Sequence, residues 1–165
     1  MLTKKMTAAI NEQIGYEFYS AYLYLAMSAH FEASNLKGFA AWTRARFTEE
    51  QTHALKFFDY VNDRGGKVEL PAIAATDRTW RSNLQVFQEV LEHERSVTAR
   101  IYKLYELALA EKDYPTQALL QWFITEQVEE EKSATEIIEQ LKLIDARGTA
   151  VLMLDHRLGK GAAKS

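Results

Sequence analysis

The sequence contains no cysteine, and this absence excludes several kinds of site at once. Without thiols the chain cannot form a disulfide framework, a thiolate zinc site or an iron–sulfur cluster, and it has no cysteine nucleophile. Proline and glycine are also scarce, with two and seven residues in a chain of 165. Because these residues interrupt regular structure, so few of them allow only a small number of long elements.

The chain also lacks an excess of positive charge and any long apolar run. Lys and Arg total 20 against 23 Asp and Glu, so the net charge of -3 gives no basic footprint for nucleic acid. The amino terminus has no uninterrupted apolar stretch of the signal-peptide kind, and no run approaches the length of a transmembrane helix. We therefore expect one globular cytoplasmic domain, residues 1–165, that binds neither nucleic acid nor membranes.

Apolar residues recur at intervals of three and four along most of the chain, a pattern that is typical of helices. The clear breaks fall at the two adjacent glycines, at the two prolines and from Gly148 onward. Four long segments lie between them: residues 3–33, 37–64, 82–112 and 115–146. Their spacing is that of helices packed at a shallow angle in a bundle, so the sequence predicts an all-α fold.

The lengths of the connections predict the topology of this bundle. Short links join the first helix to the second and the third to the fourth, which makes each of these pairs antiparallel. The middle link, about residues 65–81, is far longer than an ordinary turn and can run the length of the bundle. We therefore expect a four-helix bundle over about residues 3–146 with one long crossover, a short fifth helix over 149–158 and a polar tail over 159–165.

Polar residues interrupt the apolar seam near the middle of each helix. The interrupting residues are Glu17, Glu50, His53, Glu94, Gln127 and Glu130. An unpaired buried carboxylate is costly and is normally protonated, paired or bound to a metal. Only Arg46 and Lys132 fall near these seams, and neither keeps strict register. Two divalent cations would balance four glutamates, and carboxylates with one imidazole suit iron or manganese.

Each of these residues also has an ordinary structural explanation. A single Glu-x-x-His pair arises easily by chance, and Glu17 or Glu94 alone could belong to a helix surface. The acidic run Glu129 to Glu131 is normally a solvated helix face, as are Glu49 and Glu126. All four helices, however, lose a seam position to a ligand-type residue at a similar height. This joint pattern favours a buried di-metal site.

Several stretches of the chain resemble the non-haem ferritins of bacteria and archaea. They are residues 17–24, 49–53, 92–94, 113–115 and, most specifically, 120–132 with the run Glu-Gln-Val-Glu-Glu-Glu-Lys. The resemblance extends from about Met6 to Leu158. It implies a ferritin-like fold, and a hollow shell of 24 subunits that takes up Fe(II), oxidises it with O₂ or peroxide and stores the ferric mineral.

The resemblance also implies roles for individual residues. The first iron would be held by Glu17, Glu50 and His53, and the second by Glu50, Glu94 and Glu130, with Glu50 bridging. Gln127 would be a neighbouring polar group. A third, acidic iron site would consist of Glu49, Glu126, Glu129 and Glu130. Tyr24 matches a tyrosine near that site, although a core tyrosine with a satisfied hydroxyl is an equally good interpretation.

Three departures from related families refine this expectation. Bacterioferritins and rubrerythrins carry a second Glu-x-x-His on the fourth helix, whereas this chain has Gln127-x-x-Glu130. The second metal should therefore be held less firmly, which suits iron in transit. The methionine that binds haem in bacterioferritins is matched by Gln51, so we expect no haem. The absence of cysteine excludes the iron-binding domain of rubrerythrins.

Two other functions remain open at this stage. One is a di-iron peroxidase or oxygenase on the same fold, and the other is a mini-ferritin that protects DNA within a twelve-subunit shell. The acidic balance and the complete ligand set in one chain count against the second. Aromatic residues at positions 16, 18, 19 and 22 predict that the first helix has a second apolar face, buried against another subunit. His30, His93 and His156 are expected at a surface or interface.

Overall fold

The structure, a computed structural model, describes residues 1–144 and 148–162, and its regular elements are five helices. In chain order they are α1 (Lys4–Ala33), α2 (Lys37–Asp63), α3 (Asn83–Ala110), α4 (Tyr114–Leu143) and α5 (Thr149–Ala162). The first four form the predicted bundle, with the long crossover between α2 and α3. None of the helices, over the ranges described, combines the length and apolarity needed to cross a bilayer.

Local side chains start most of the helices where the sequence predicts. Thr3, Ser82 and Asp113 each accept a hydrogen bond from a backbone N–H in the first turn of α1, α3 and α4. The residue before α2, Leu36, has no such side chain. Asp155 of α5 replaces it, because its Oδ1 accepts from the backbone N–H of Phe39 at 2.8 Å. The start of α2 is therefore completed from the far end of the chain.

The fifth helix is longer than predicted. It continues through Gly159 to Ala162, so the prediction of a helix end at 158 and a polar tail from 159 is wrong for these four residues. The reason is packing: a Cβ on Gly159 would lie 3.0 Å from the Cα of Gly38, so the missing side chain allows α5 to lie close against α2. The rest of the predicted tail, 163–165, and the predicted bundle end at 146 lie outside the described residues.

The apolar core consists of two clusters, one toward each end of the bundle. One cluster includes Phe31, Phe39 and Phe87, and it continues onto α5. The other includes Met6 and Phe57 and lies toward the start of α1. On each of the first four helices the polar residues that interrupt the seam fall between these clusters. Apolar packing on both sides therefore separates the polar middle of the bundle from bulk water.

A glycine inside α1 makes room for the crossover. A Cβ on Gly15 would lie 2.2 Å from Cγ of Pro71, so only glycine permits the crossover to lie this close to the helix. Near its end the crossover is attached to α3 by Glu89, which accepts from the indole N–H of Trp80 at 2.7 Å and pairs with Arg78 at 2.5 Å. The loss of helix propensity at Gly15 is thus offset by this close contact.

Replacing Gly38 by alanine is expected to lower the free energy of unfolding by about 1 to 3 kcal/mol. The added Cβ would lie 1.7 Å from the carbonyl oxygen of Asp155, so α5 would have to move away from α2. Chemical denaturation measures the change. Gly161→Ala is the matched control, because no atom within 4 Å of its added Cβ is found among the residues that the structure describes. Equal midpoints for the two variants would show that this contact does not stabilise the fold.

Candidate metal centre

Three side chains from α1 and α2 form the first buried group. Glu17, Glu50 and His53 each offer a ligand atom, and these atoms all lie within 4.8 Å of one another. All three are at most 3% exposed. Glu50 and His53 are one helical turn apart, so their side chains share a face, with Glu50 Oε2 3.5 Å from His53 Nδ1. The arrangement offers two carboxylates and one imidazole to a single ion.

Two carboxylate oxygens in this group are buried without a hydrogen-bond partner among the described residues. They are Oε2 of Glu17 and Oε2 of Glu50. The other oxygen of Glu17 accepts a bond from Gln13 Nε2 at 2.8 Å. Buried carboxylate oxygens are normally satisfied, and a bound cation is one of the few groups that can satisfy several of them together. The donor set therefore fits a hard or borderline metal ion such as iron.

The second half of the centre comes from α3 and α4. Glu94 and Glu130 are both buried. The hydroxyl of Tyr24 donates to Glu94 Oε1 at 2.5 Å, which gives this tyrosine a definite partner at the site. Gln127 Nε2 donates to the backbone carbonyl and to Oε2 of Glu94, at 3.1 and 3.2 Å. Two neighbours thus fix the orientation of the Glu94 carboxylate.

The electrostatics of the four carboxylates favour either protons or metal ions. Burial raises the pKa of Glu17 and of Glu50 well above 4.5. The charge of Glu50 raises the pKa of Glu17 further. The charges of Glu94 and Glu130 raise the pKa of Glu50 further. Burial raises the pKa of Glu130 to about 8, although Arg46 acts in the opposite direction. The pKa of Glu94 is also raised by burial. Without metal, the cluster is therefore expected to hold protons near neutral pH, where free glutamates are already ionised.

The four residues predicted as a third iron site are only partly brought together. Glu49 and Glu126 offer ligand atoms within 4.8 Å of each other and of His53, which the prediction did not include in this site. Glu129 lies on an exposed face, 3.8 Å from Lys132. Glu130 is linked to Glu49 through Arg46 instead. Beside the buried centre, and sharing His53 with it, the structure thus forms a half-buried outer group of Glu49, His53 and Glu126.

Sequence reasoning missed one residue of this centre, and one histidine outside the centre is more buried than the sequence suggested. Gln13 is four residues before Glu17, a spacing that places both on one helix face, and this was the available signal. His93 was predicted at a surface or interface, and within its own chain it is only 8% exposed. It lies 2.7 Å from Ser20 Oγ and stacks on Tyr16 at 5.4 Å, because α1 covers this face of α3, and burial lowers its pKa to about 4.

A bundle of four helices with one long crossover, enclosing a cluster of carboxylates and a histidine, defines a class of metal-binding helical proteins. The model of the family described as a ferritin-like domain matches residues 7–144. The chain belongs to the ferritin family. This confirms both the resemblance and the predicted fold, and membership of the family supports a role in iron storage.

Comparison with individual proteins agrees over nearly the whole length. The chain is 40% identical over 160 residues to a bacterial non-heme ferritin of Bacteroides fragilis, covering 97% of this chain and 99% of the relative. It is 36% identical over 159 residues to one of Staphylococcus aureus, covering 96% of each. An open-pore ferritin from the hyperthermophilic archaeon Archaeoglobus fulgidus superposes with a TM-score of 0.95 at 48% identity, covering 96% of this chain and 98% of that one.

Proposed function

We propose that this protein takes up Fe(II) in the cytoplasm, oxidises it to Fe(III) with O₂ at the buried centre and stores the ferric product. Iron is both substrate and cargo in this scheme. The observation that carries the proposal is the buried group of Glu17, Glu50 and His53, with two carboxylate oxygens that no described residue satisfies. Such a group costs stability unless a cation or proton occupies it.

The four buried glutamates suggest two iron positions. Glu17, Glu50 and His53 would hold the first Fe(II), and Glu50, Glu94 and Glu130 the second. Glu50 belongs to both because it lies beside His53 and also experiences the charges of Glu94 and Glu130. Four carboxylates carry four negative charges, which two divalent ions balance. Two Fe(II) ions held side by side can supply two electrons to one O₂ molecule.

The remaining polar residues would position this ligand set. Gln13 holds one oxygen of Glu17 and leaves the other directed at the first position. Tyr24 and Gln127 donate to opposite oxygens of Glu94 and so fix its carboxylate plane. Ligands must be deprotonated to bind iron, so the protons held by the metal-free cluster are released as iron enters. The protein thus supplies geometry and charge, and the iron supplies the redox chemistry.

Storage requires a shell, which we propose is built from 24 copies of the chain. Large apolar side chains that are about half exposed or more lie on all five helices and on the crossover, among them Tyr22, Leu70, Ile73, Leu152 and Met153. Exposed apolar side chains of this number favour contact with further copies. The predicted second face of α1 contributes through Tyr22, whereas Tyr16, Phe18 and Tyr19 are half-buried within their own chain.

Aerobic titration of the metal-free protein with Fe(II) tests the proposal. We expect a fast rise in ferric absorbance that saturates near two to three Fe(II) per chain, roughly the number of proposed sites, with later iron oxidised and still soluble. Precipitation of the later iron would refute storage and favour a di-iron peroxidase or oxygenase. Oxidation no faster than without protein would refute the oxidation site.

A further inference from the structure

Arg46 lies between two carboxylates at the edge of the buried centre. Its Nη1 is 2.6 Å from Glu49 Oε2 and 2.6 Å from Glu130 Oε1. Its Nη2 donates to Ser133 Oγ at 3.2 Å. The side chain is 18% exposed, and its guanidinium lies 4.9 Å from the ring centre of Trp42. One guanidinium nitrogen therefore joins the outer group to the inner centre.

The two carboxylates that Arg46 contacts are also carboxylates that a metal ion would use. Glu49 belongs with His53 and Glu126 to the half-buried outer group. Glu130 belongs to the proposed second iron position. A guanidinium and a divalent ion both seek carboxylate oxygens, and two cations cannot share one small space without repulsion. Metal at the outer group and the Arg46 bridge should therefore exclude each other, at least in part.

We propose that Arg46 is an internal cation that occupies the space between Glu49 and Glu130 until an outer metal ion displaces it. The inference rests on the proposed function and adds to it a residue that sets the affinity of the outer position. By linkage, the bridge weakens outer metal binding by the same factor by which metal weakens the bridge. The outer position becomes one that iron occupies briefly, after the two inner positions.

The structure provides space for the displaced side chain. A cavity of about 780 Å³ lies between α2 and α5, and Arg46 and Glu49 form part of its wall together with Trp42 and Leu158. The guanidinium lies 4.9 Å from the centre of the Trp42 ring, and Trp42 also lines this cavity. The displaced side chain would therefore have space beside a ring that it already contacts.

A purely structural role for Arg46 makes the opposite prediction. If the bridge only holds Glu49 and Glu130 in position for metal, its removal will weaken binding at the outer group. If the bridge competes with metal, its removal will strengthen binding there. The direction of the change therefore separates the two roles.

The test is calorimetric titration of the assembled, metal-free protein with Zn(II), which binds without oxidation. Arg46→Gln removes the charge and keeps a polar, shorter side chain. Arg44→Gln is the matched control, because this substitution removes the same charge from an exposed position on the same helix. We expect Arg46→Gln to bind the outer Zn(II) about tenfold more tightly than Arg44→Gln, since hydrogen bonds to charged groups have roughly this strength.

The site of the gain is identified by a second change. Adding Glu126→Gln to Arg46→Gln should remove the tighter event, and Arg46→Lys should give an intermediate affinity, while circular dichroism confirms that each variant is folded. Equal or weaker outer binding in Arg46→Gln than in Arg44→Gln would overturn the inference. If the unmodified protein shows no two inner binding events, the proposed iron positions are wrong. The comparison of the two arginine variants would still decide the role of Arg46.

Discussion

Replacing Glu50 by glutamine is expected to slow the fast phase of Fe(II) oxidation by at least about 100-fold, because one side chain serves both proposed iron positions. The same change is expected to raise the free energy of unfolding of the metal-free protein by roughly 1 to 3 kcal/mol. Glu50 Oε2 is buried without a hydrogen-bond partner among the described residues, and an amide can donate to a neighbouring carboxylate instead. Stopped-flow absorbance and chemical denaturation measure the two effects.

The opposite signs of these effects make the prediction specific. A substitution that merely damages the fold lowers both activity and stability, whereas Glu50→Gln should lower one and raise the other. Asp59→Asn is the matched control, since it removes an exposed carboxylate from the same helix and should change neither quantity. A fast phase of normal amplitude in Glu50→Gln would contradict the proposed bridging role.

The sequence was sufficient to predict the helices because their signals are local. Each of the first four helices begins and ends within three residues of its predicted position. The capping side chains, such as Thr3 and Asp113, act on backbone groups three residues away, and Pro115 lies in the first turn of its helix. Contacts of this range leave a pattern in the sequence that simple periodicity and helix-breaking residues reveal.

Contacts between distant residues could not be predicted in the same way. The cap that Asp155 provides for α2 joins positions 116 residues apart, and no spacing rule connects them. Gly15 gave a partial signal, because a glycine inside a long helix calls for an explanation. The explanation, the ring of Pro71, becomes visible only when the crossover lies against α1. The same holds for Gly38 and Gly159, which allow α5 to lie close to α2.

The predicted site shows the same division. A charged residue on an apolar seam is a local contradiction, and this contradiction identified the glutamates that the structure brings together. Arg46 was noted near the seam but lacks its register. Its long side chain nevertheless reaches Glu130, which lies 84 positions along the chain. The spacing of residues along a helix predicts where their Cα atoms lie. The charged end of an arginine, however, can lie several ångströms from its Cα atom.

Stability of the metal-free protein is expected to fall as pH rises, which is the reverse of ordinary acid denaturation. A carboxyl group whose pKa is raised on folding binds more protons in the folded state than in the unfolded state. Its contribution is fully present below pH 4.5 and is lost as pH rises through its folded pKa. The pKa of Glu130 is raised to about 8, and Glu17 and Glu50 shift in the same direction.

One buried histidine opposes this trend at lower pH, so the trend is best measured above pH 6.5. The pKa of His93 is lowered from 6.5 to about 4, so the unfolded state binds the extra proton, and stability rises with pH across that interval. Above pH 6.5 the contribution of His93 is constant. From pH 6.5 to 8, Glu130 alone should lower the free energy of unfolding by about 2 kcal/mol. Chemical denaturation at fixed protein concentration measures the slope.

Metal should remove this slope, and its removal connects the pH dependence to the proposed site. Metal binds the deprotonated ligands, so between pH 6.5 and 8 neither the Zn(II)-loaded protein nor the unfolded chain holds protons on these carboxylates, and the stability of the loaded protein should depend little on pH. Glu130→Gln should flatten the dependence of metal-free stability on pH. Glu136→Gln, which removes an exposed carboxylate from the same helix, should leave this dependence unchanged. A metal-free protein whose stability stays level or rises over this window would show that the cluster is ionised without metal. The buried carboxylates would then require a different source of compensation, and Arg46, which is paired with Glu130, is a cation in position to provide it.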